Sequence, residues 1–229
     1  MPSRKKPSRS FSIAEGSIFQ IKIRLLGISP MIWRRVLVPA SYTLHELYGV
    51  IQAVMGWEGL HLFQFKVRAV AYGSFDLMVE DPAVPLESFG FRKNGKLAYI
   101  YDMGAWWEHE VRIEDRLEAT AGKRYPSCIG SGACPPEDCG GLKGFLAHRD
   151  EASGYDACQD VSTIVEWLDD VALNGDVEVM KDQSRLDELE WAAERMAGRK
   201  PYLSDKFSRA KANARFQQNE HRRLMHQWF

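Results

Sequence analysis

Phe19, Ile21, Ile23 and Leu25 alternate strictly with Gln20, Lys22 and Arg24 near the start of the chain. A period of two places the four apolar side chains on one face of an extended strand, and that face must be covered. Gly27 to Pro30 interrupts the run, and Ile32 to Val38 resumes it as far as Pro39. The spacing predicts two strands joined by a short connection.

A helix follows with its boundaries written into the sequence. Thr43 and Glu46 form a capping box, in which each side chain satisfies a free amide at the helix start. Leu44, Leu47, Tyr48, Ile51, Val54 and Met55 then fall on one stripe, and Gly56 suits the left-handed residue that ends a helix. His61 to Val70 reads as one further strand, with His61, Phe63, Phe65 and Val67 on one face. The segment 71–96 reads as irregular with a short strand at most. Leu97–Asp102 and Trp107–Ile113 predict a second hairpin across Met103, Gly104 and Ala105. Helices are expected near 162–173 and 185–197, and 203–227 reads as a charged helix that faces solvent or needs a partner. The expected fold is therefore α+β: a mainly antiparallel sheet packed with helices, plus a helical C-terminal extension. The expected divisions are a basic flexible N-terminus (1–17), an α+β domain (18–175) and a basic helical extension (176–229).

Charge is unevenly spread. The overall −1 divides into +3 over residues 1–17, −10 over 18–198 and +6 over 199–229. A basic end can meet a nucleic acid or an acidic protein, and it can equally be a solvated helix face. No apolar run approaches the roughly 18 residues that span a bilayer, and Met1 to Ser10 lacks the apolar core of a secretory signal. A cytoplasmic, reducing setting is expected, where cysteines serve more often as thiols or metal ligands than as disulfides.

Three of the four cysteines, Cys128, Cys134 and Cys139, fall within twelve residues of a glycine- and proline-rich loop, 122–144. Structural zinc takes four sulfur or nitrogen ligands in a tetrahedron. The cysteines supply three, and His109, on the apolar side of a neighbouring strand, is the first candidate for the fourth, with Cys158, His61 and His148 as rivals. Ordinary packing of small residues is the competing reading. Glu137 and Asp138 immediately precede Cys139 and disfavour a reactive thiolate. Trp33 beside Arg34 and Arg35 could stack on a ligand or form a sheet core with arginines outside. Trp57, His61, Asp102 and Trp107 complete the candidate binding residues. Gly90 to Lys96 approaches a phosphate-binding loop but is followed by Leu97 instead of Ser or Thr. No nucleophile elbow or dinucleotide fingerprint occurs.

Several segments in order resemble one family. They are Ile18–Leu26, the run from Ser29 to Pro39, Leu44–Trp57 followed by His61 to Phe65, Tyr101 to Gly104, Trp107 to His109, Tyr125–Pro126, and Ala133-Cys-Pro-Pro-Glu-Asp-Cys-Gly-Gly141. These resemble the plasmid pRiA4b ORF-3-like proteins, a family that includes passenger proteins of insertion elements named for a resolvase. The resemblance covers roughly residues 18–170 and implies an α+β domain carried on plasmids, mobile elements and chromosomes, with no established activity. It gives no support to recombination, because no serine-recombinase signature is present. Relatives often carry a second histidine where this chain has Phe63. The functional expectations are thus led by a non-enzymatic binding module with zinc as a candidate stabilising ion. The alternatives are a metal-assisted hydrolase using His109 with Asp102 or Glu108, and a nucleic-acid-binding accessory protein using the basic tail with Arg34 and Arg35.

Overall fold

The structure is a computed structural model that describes residues 16–130, 137–198 and 207–226. Contacts between Cα atoms group the chain into two compact units: residues 1–134 with 207–229, and residues 135–206. The expected N-terminal arm lies almost wholly outside the described residues, as does Cys134.

Unit 1 is built on one seven-stranded sheet. Its strands are β1 (Ser17–Leu25), β2 (Trp33–Pro39), β3 (Phe63–Val67), β4 (Val70–Gly73), β5 (Lys96–Tyr101), β6 (Trp107–Glu118) and β7 (Ser127–Gly130). They run in the order β4-β3-β5-β6-β1-β2-β7, and every neighbouring pair is antiparallel. The expected hairpins form, β1 with β2 and β5 with β6. The expected strand from His61 to Val70 is shorter. It turns at Arg68, whose φ of 57° is left-handed, and returns as β4. β7 was not foreseen within the cysteine loop.

One face of the sheet is apolar. Phe19, Ile21, Ile23, Val36, Phe65, Tyr99 and Val111 are all buried there. Helix α1 (Leu44–Met55) covers this face, with both halves of the capping box formed and Gly56 left-handed at φ 84°. Tyr48 stacks on Phe63 at 4.0 Å between ring centroids, and Gln52 donates to the Tyr99 hydroxyl at 2.8 Å. The opposite face carries crossed ion pairs: Arg35 with Glu114, and Glu110 with Lys96 and Arg112. That alternation is the one legible in β1.

Helices α5 (Arg209–Gln217) and α6 (Glu220–Met225) complete unit 1. The charged tail is therefore not a loose appendage in its described part, because α6 packs along α1 and α5 lies against β7. Unit 2 holds α2 (Gly141–Ser153), α3 (Tyr155–Leu168) and α4 (Gln183–Gly198). Within it Arg195 grips the buried Asp160 through a contact of 2.6 Å between Nη2 and Oδ1. No described helix is long and apolar enough to cross a membrane.

Candidate functional site

His109 and Cys128 are not brought together as expected. His109 sits on β6 opposite Leu25, whereas Cys128 pairs with Val36, which itself pairs with Ile21. Two strands lie between β6 and β7, and the rows differ by four residues along the strand. At about 4.8 Å per strand and about 3.3 Å per residue, the Cα atoms are on the order of 19 Å apart. Zinc holds its ligands within about 2.3 Å, so His109 and Cys128 cannot share an ion. Cys128 instead donates its thiol hydrogen to the Gly130 carbonyl at 3.0 Å. Cys139, His148 and Cys158 belong to unit 2. Among the described residues, no group of three His, Cys, Asp or Glu side chains is placed to hold a metal.

His109 has a different role. It is fully buried, edge-on to Trp57 at 5.6 Å, with Nδ1 3.0 Å from the Trp107 carbonyl. Burial lowers its pKa to about 4, against the opposing pull of nearby carbonyls. It is a neutral core imidazole at ordinary pH. Glu108 is its neighbour on β6 and points to the other face, so it is not placed to act as a base beside His109. Burial also raises both described loop thiols, Cys139 to about 11 with Asp138 reinforcing it, which keeps them protonated and poorly nucleophilic.

The tryptophan–arginine cluster divides between faces. Arg34 is buried, donates from Nε to the Val54 carbonyl at 2.8 Å, and lies 4.1 Å from the Phe207 ring. It is a core tie and not a ligand arm, a correction that applies equally to the buried Trp57 and Trp107. Trp33 and Arg35 lie on the outer face, where Lys22 and Arg35 each stand 5.2 Å from the indole. Glu114 engages Arg35 at 2.9 Å, and that hydrogen bond holds the Glu114 carboxyl below its ordinary range.

His61 and Asp102 do come together, at one end of the sheet, with Nε2 and Oδ2 3.7 Å apart. Asp102 Oδ1 accepts from the Gly104 and Ala105 amides at 3.0 and 3.1 Å. Asp102 and Trp106 both adopt left-handed backbone, at φ 57° and 54°, and Trp106 is 48% exposed. A large aromatic rarely adopts that conformation.

The other end of the sheet holds a cleft of about 1460 Å³ that motif reading missed. Its walls are the segment entering β7 and the helices α5 and α6. Asn213 fastens the two sides: its amide accepts from the Cys128 N–H at 2.8 Å and donates to the Cys128 carbonyl at 3.0 Å. A single side chain thereby serves as an additional strand for the short edge β7. Tyr42, in the wall, accepts a hydrogen bond from Arg222, while burial raises its own pKa. The signal available in the sequence was charge alone, because the cationic residues come from two segments far apart in the chain.

Three comparisons bear on these features. The plasmid pRiA4b ORF-3-like protein family matches residues 17–181. The uncharacterized protein y4hQ of Sinorhizobium fredii is 33% identical over 135 residues, covering 56% of this chain and 70% of that protein. The crystal structure of a protein of unknown function, MM3350, from Methanosarcina mazei superposes with a TM-score of 0.57 at 30% identity, covering 62% of this chain and 84% of that one.

Proposed function

The chain belongs to the plasmid pRiA4b ORF-3-like family, and from that premise we propose that it is a non-enzymatic binding module, an accessory protein of the cytoplasm carried on plasmid or mobile DNA. The observation that carries this reading is the open cleft in unit 1 between the segment entering β7 and helices α5 and α6, whose described lining carries four Lys and Arg against one carboxylate. The titratable groups support it. His109 and the Cys128 and Cys139 thiols are biased by burial toward their neutral forms, the opposite of a base or nucleophile tuned to neutral pH. A panel of ester, phosphate-ester and amide substrates, assayed with and without added zinc, tests the reading. No turnover is expected. Turnover that Asp102→Asn or Cys139→Ser abolishes would replace the module with the hydrolase.

The loop carrying Cys128, Cys134 and Cys139 is the proposed seat of a structural zinc. Its support is the spacing of three thiols among glycines and prolines. Metal would have to displace the thiol protons, which makes loading pH-dependent. Elemental analysis of protein purified without chelators should find zinc that Cys139→Ser loses. Metal-free native protein would remove zinc from the proposal.

A further inference from the structure

Lys123, Arg124, Arg209 and Arg222 line the cleft of unit 1, and Glu87 is the one carboxylate among its described lining residues. The whole chain carries 30 Lys and Arg against 31 Asp and Glu, so this four-to-one bias is local. It is assembled from two segments, 122–129 and 209–222, that only the fold brings together. Concave walls concentrate such a field.

The N-terminus of α5 adds to it. A helix start is the positive end of the peptide dipole and usually attracts acids. Here the first turn carries no acid and instead carries Arg209 and Lys211, beneath the Ser208 cap on the Lys211 amide. That arrangement works against the helix unless an anion compensates it. His221 also lines the cleft, is 3% exposed, and has no hydrogen-bond partner at either ring nitrogen among the described residues. Buried polar atoms left so are costly and call for a partner.

We propose that this cleft binds a chain of phosphoryl groups, with Arg209 and Arg222 from the helices and Lys123 and Arg124 from the facing segment engaging its oxyanions. The number of cations favours several phosphoryl groups over one. Guanidinium forks suit phosphate oxygens geometrically as well as by charge. The inference rests on reading unit 1 as a binding module and names the ligand class of that same site.

Calorimetric titration of the full chain with inorganic tripolyphosphate and, separately, a short oligothymidylate tests it. Binding that weakens steeply with salt is expected. Arg209→Glu should cost at least about tenfold in affinity, while Lys181→Glu in unit 2 should change nothing. Arg209→Glu suits a helix start, so its melting temperature should hold or rise, which separates lost binding from lost folding. Binding of tripolyphosphate sustains a free polyphosphoryl ligand, and binding of the oligonucleotide alone sustains a nucleic-acid backbone as the source. Failure of both probes, or affinity indifferent to Arg209→Glu, overturns the assignment. Orthophosphate release is followed in the same samples. Absence of binding without release removes the ligand class and leaves the module intact, whereas release of phosphate removes the module reading itself.

Discussion

Helix α1 and the pair α5–α6 lie in the same unit and are held by opposite means. α1 buries ten of its twelve residues and is signposted by its own cap, stripe and terminal glycine. α5 buries only Ala212 and Phe216, and α6 only His221 and Leu224. What fastens them is polar. Arg215 donates to the Ala53 and Trp57 carbonyls at 3.1 and 3.0 Å, capping the end of α1, and pairs with Glu220 at 2.8 Å. Asn213 clasps β7. A helix with little apolar face can thus be placed accurately if its side chains satisfy carbonyls that another helix leaves open.

The largest test of that contrast is Arg215→Ala. It strips the α1 terminus of its donor and leaves Glu220 half-buried without its fork, so a loss of about 3–4 kcal/mol is expected in urea unfolding. Arg215→Lys should rescue little, because one ammonium cannot span the same acceptors. An unfolding free energy within error of wild type would mean that apolar contacts alone hold α5 and α6.

Acid should separate the two regions next. Beneath α1, His109 has its pKa lowered by burial to about 4 from an ordinary value near 6.5. The unfolded chain therefore takes up this proton first. Stability is intact above pH 6.5 and declines toward pH 4, by about 3 kcal/mol in order of magnitude. His221 adds to the same decline in the same direction. Glu220 acts in the same direction over a lower window: the hydrogen bond from Arg215 lowers its pKa, so its contribution is intact above the ordinary carboxylate range and is lost as the pH falls below it. Denaturant unfolding across pH 7 to 3 should show His109→Phe reducing the slope of the upper window, with the His221 share remaining, and leaving the lower window unchanged. A wild-type profile without slope between pH 6.5 and 4 would contradict the buried neutral imidazole.

Gly49→Ala probes where the two regions touch. A Cβ there would overlap the His221 carbonyl, so α6 must shift, at about 2 kcal/mol and with faster amide exchange in α6 than in α1. The smallest effect expected is Thr43→Ala, which loses a cap that accepts the Glu46 amide at 3.1 Å, at about 1 kcal/mol. Exchange should then rise only in the first turn of α1.

Legibility followed the same division. β1, β2, α1 and the β5–β6 hairpin were readable because period and caps are local properties, and the structure places their ends within a few residues of expectation. The strand expected from His61 to Val70 was divided by a turn at Arg68, a residue type that carries no turn signal. β7 escaped notice because four residues among glycines and prolines show no period, and its pairing partners on β2 lie 90 or more residues away. His109 was read correctly onto the apolar face, but Arg34, expected outside the core, is buried while Trp33 lies on the outer face. Their roles were misassigned, because nothing local reveals that two strands intervene before Cys128 or that Val54 offers a carbonyl to Arg34.

The sequence by itself determined the class of fold, the apolar face of the sheet, the span of α1 and the family. Each of these is encoded within windows of a few turns, where periodicity and capping operate. Only the tertiary structure decided that the charged tail closes unit 1, that His109 is core and not ligand, and that cations from 122–129 and 209–222 face one cleft. Those outcomes depend on strand order and on side chains satisfying distant backbone groups, and chain separation hides both from any local pattern.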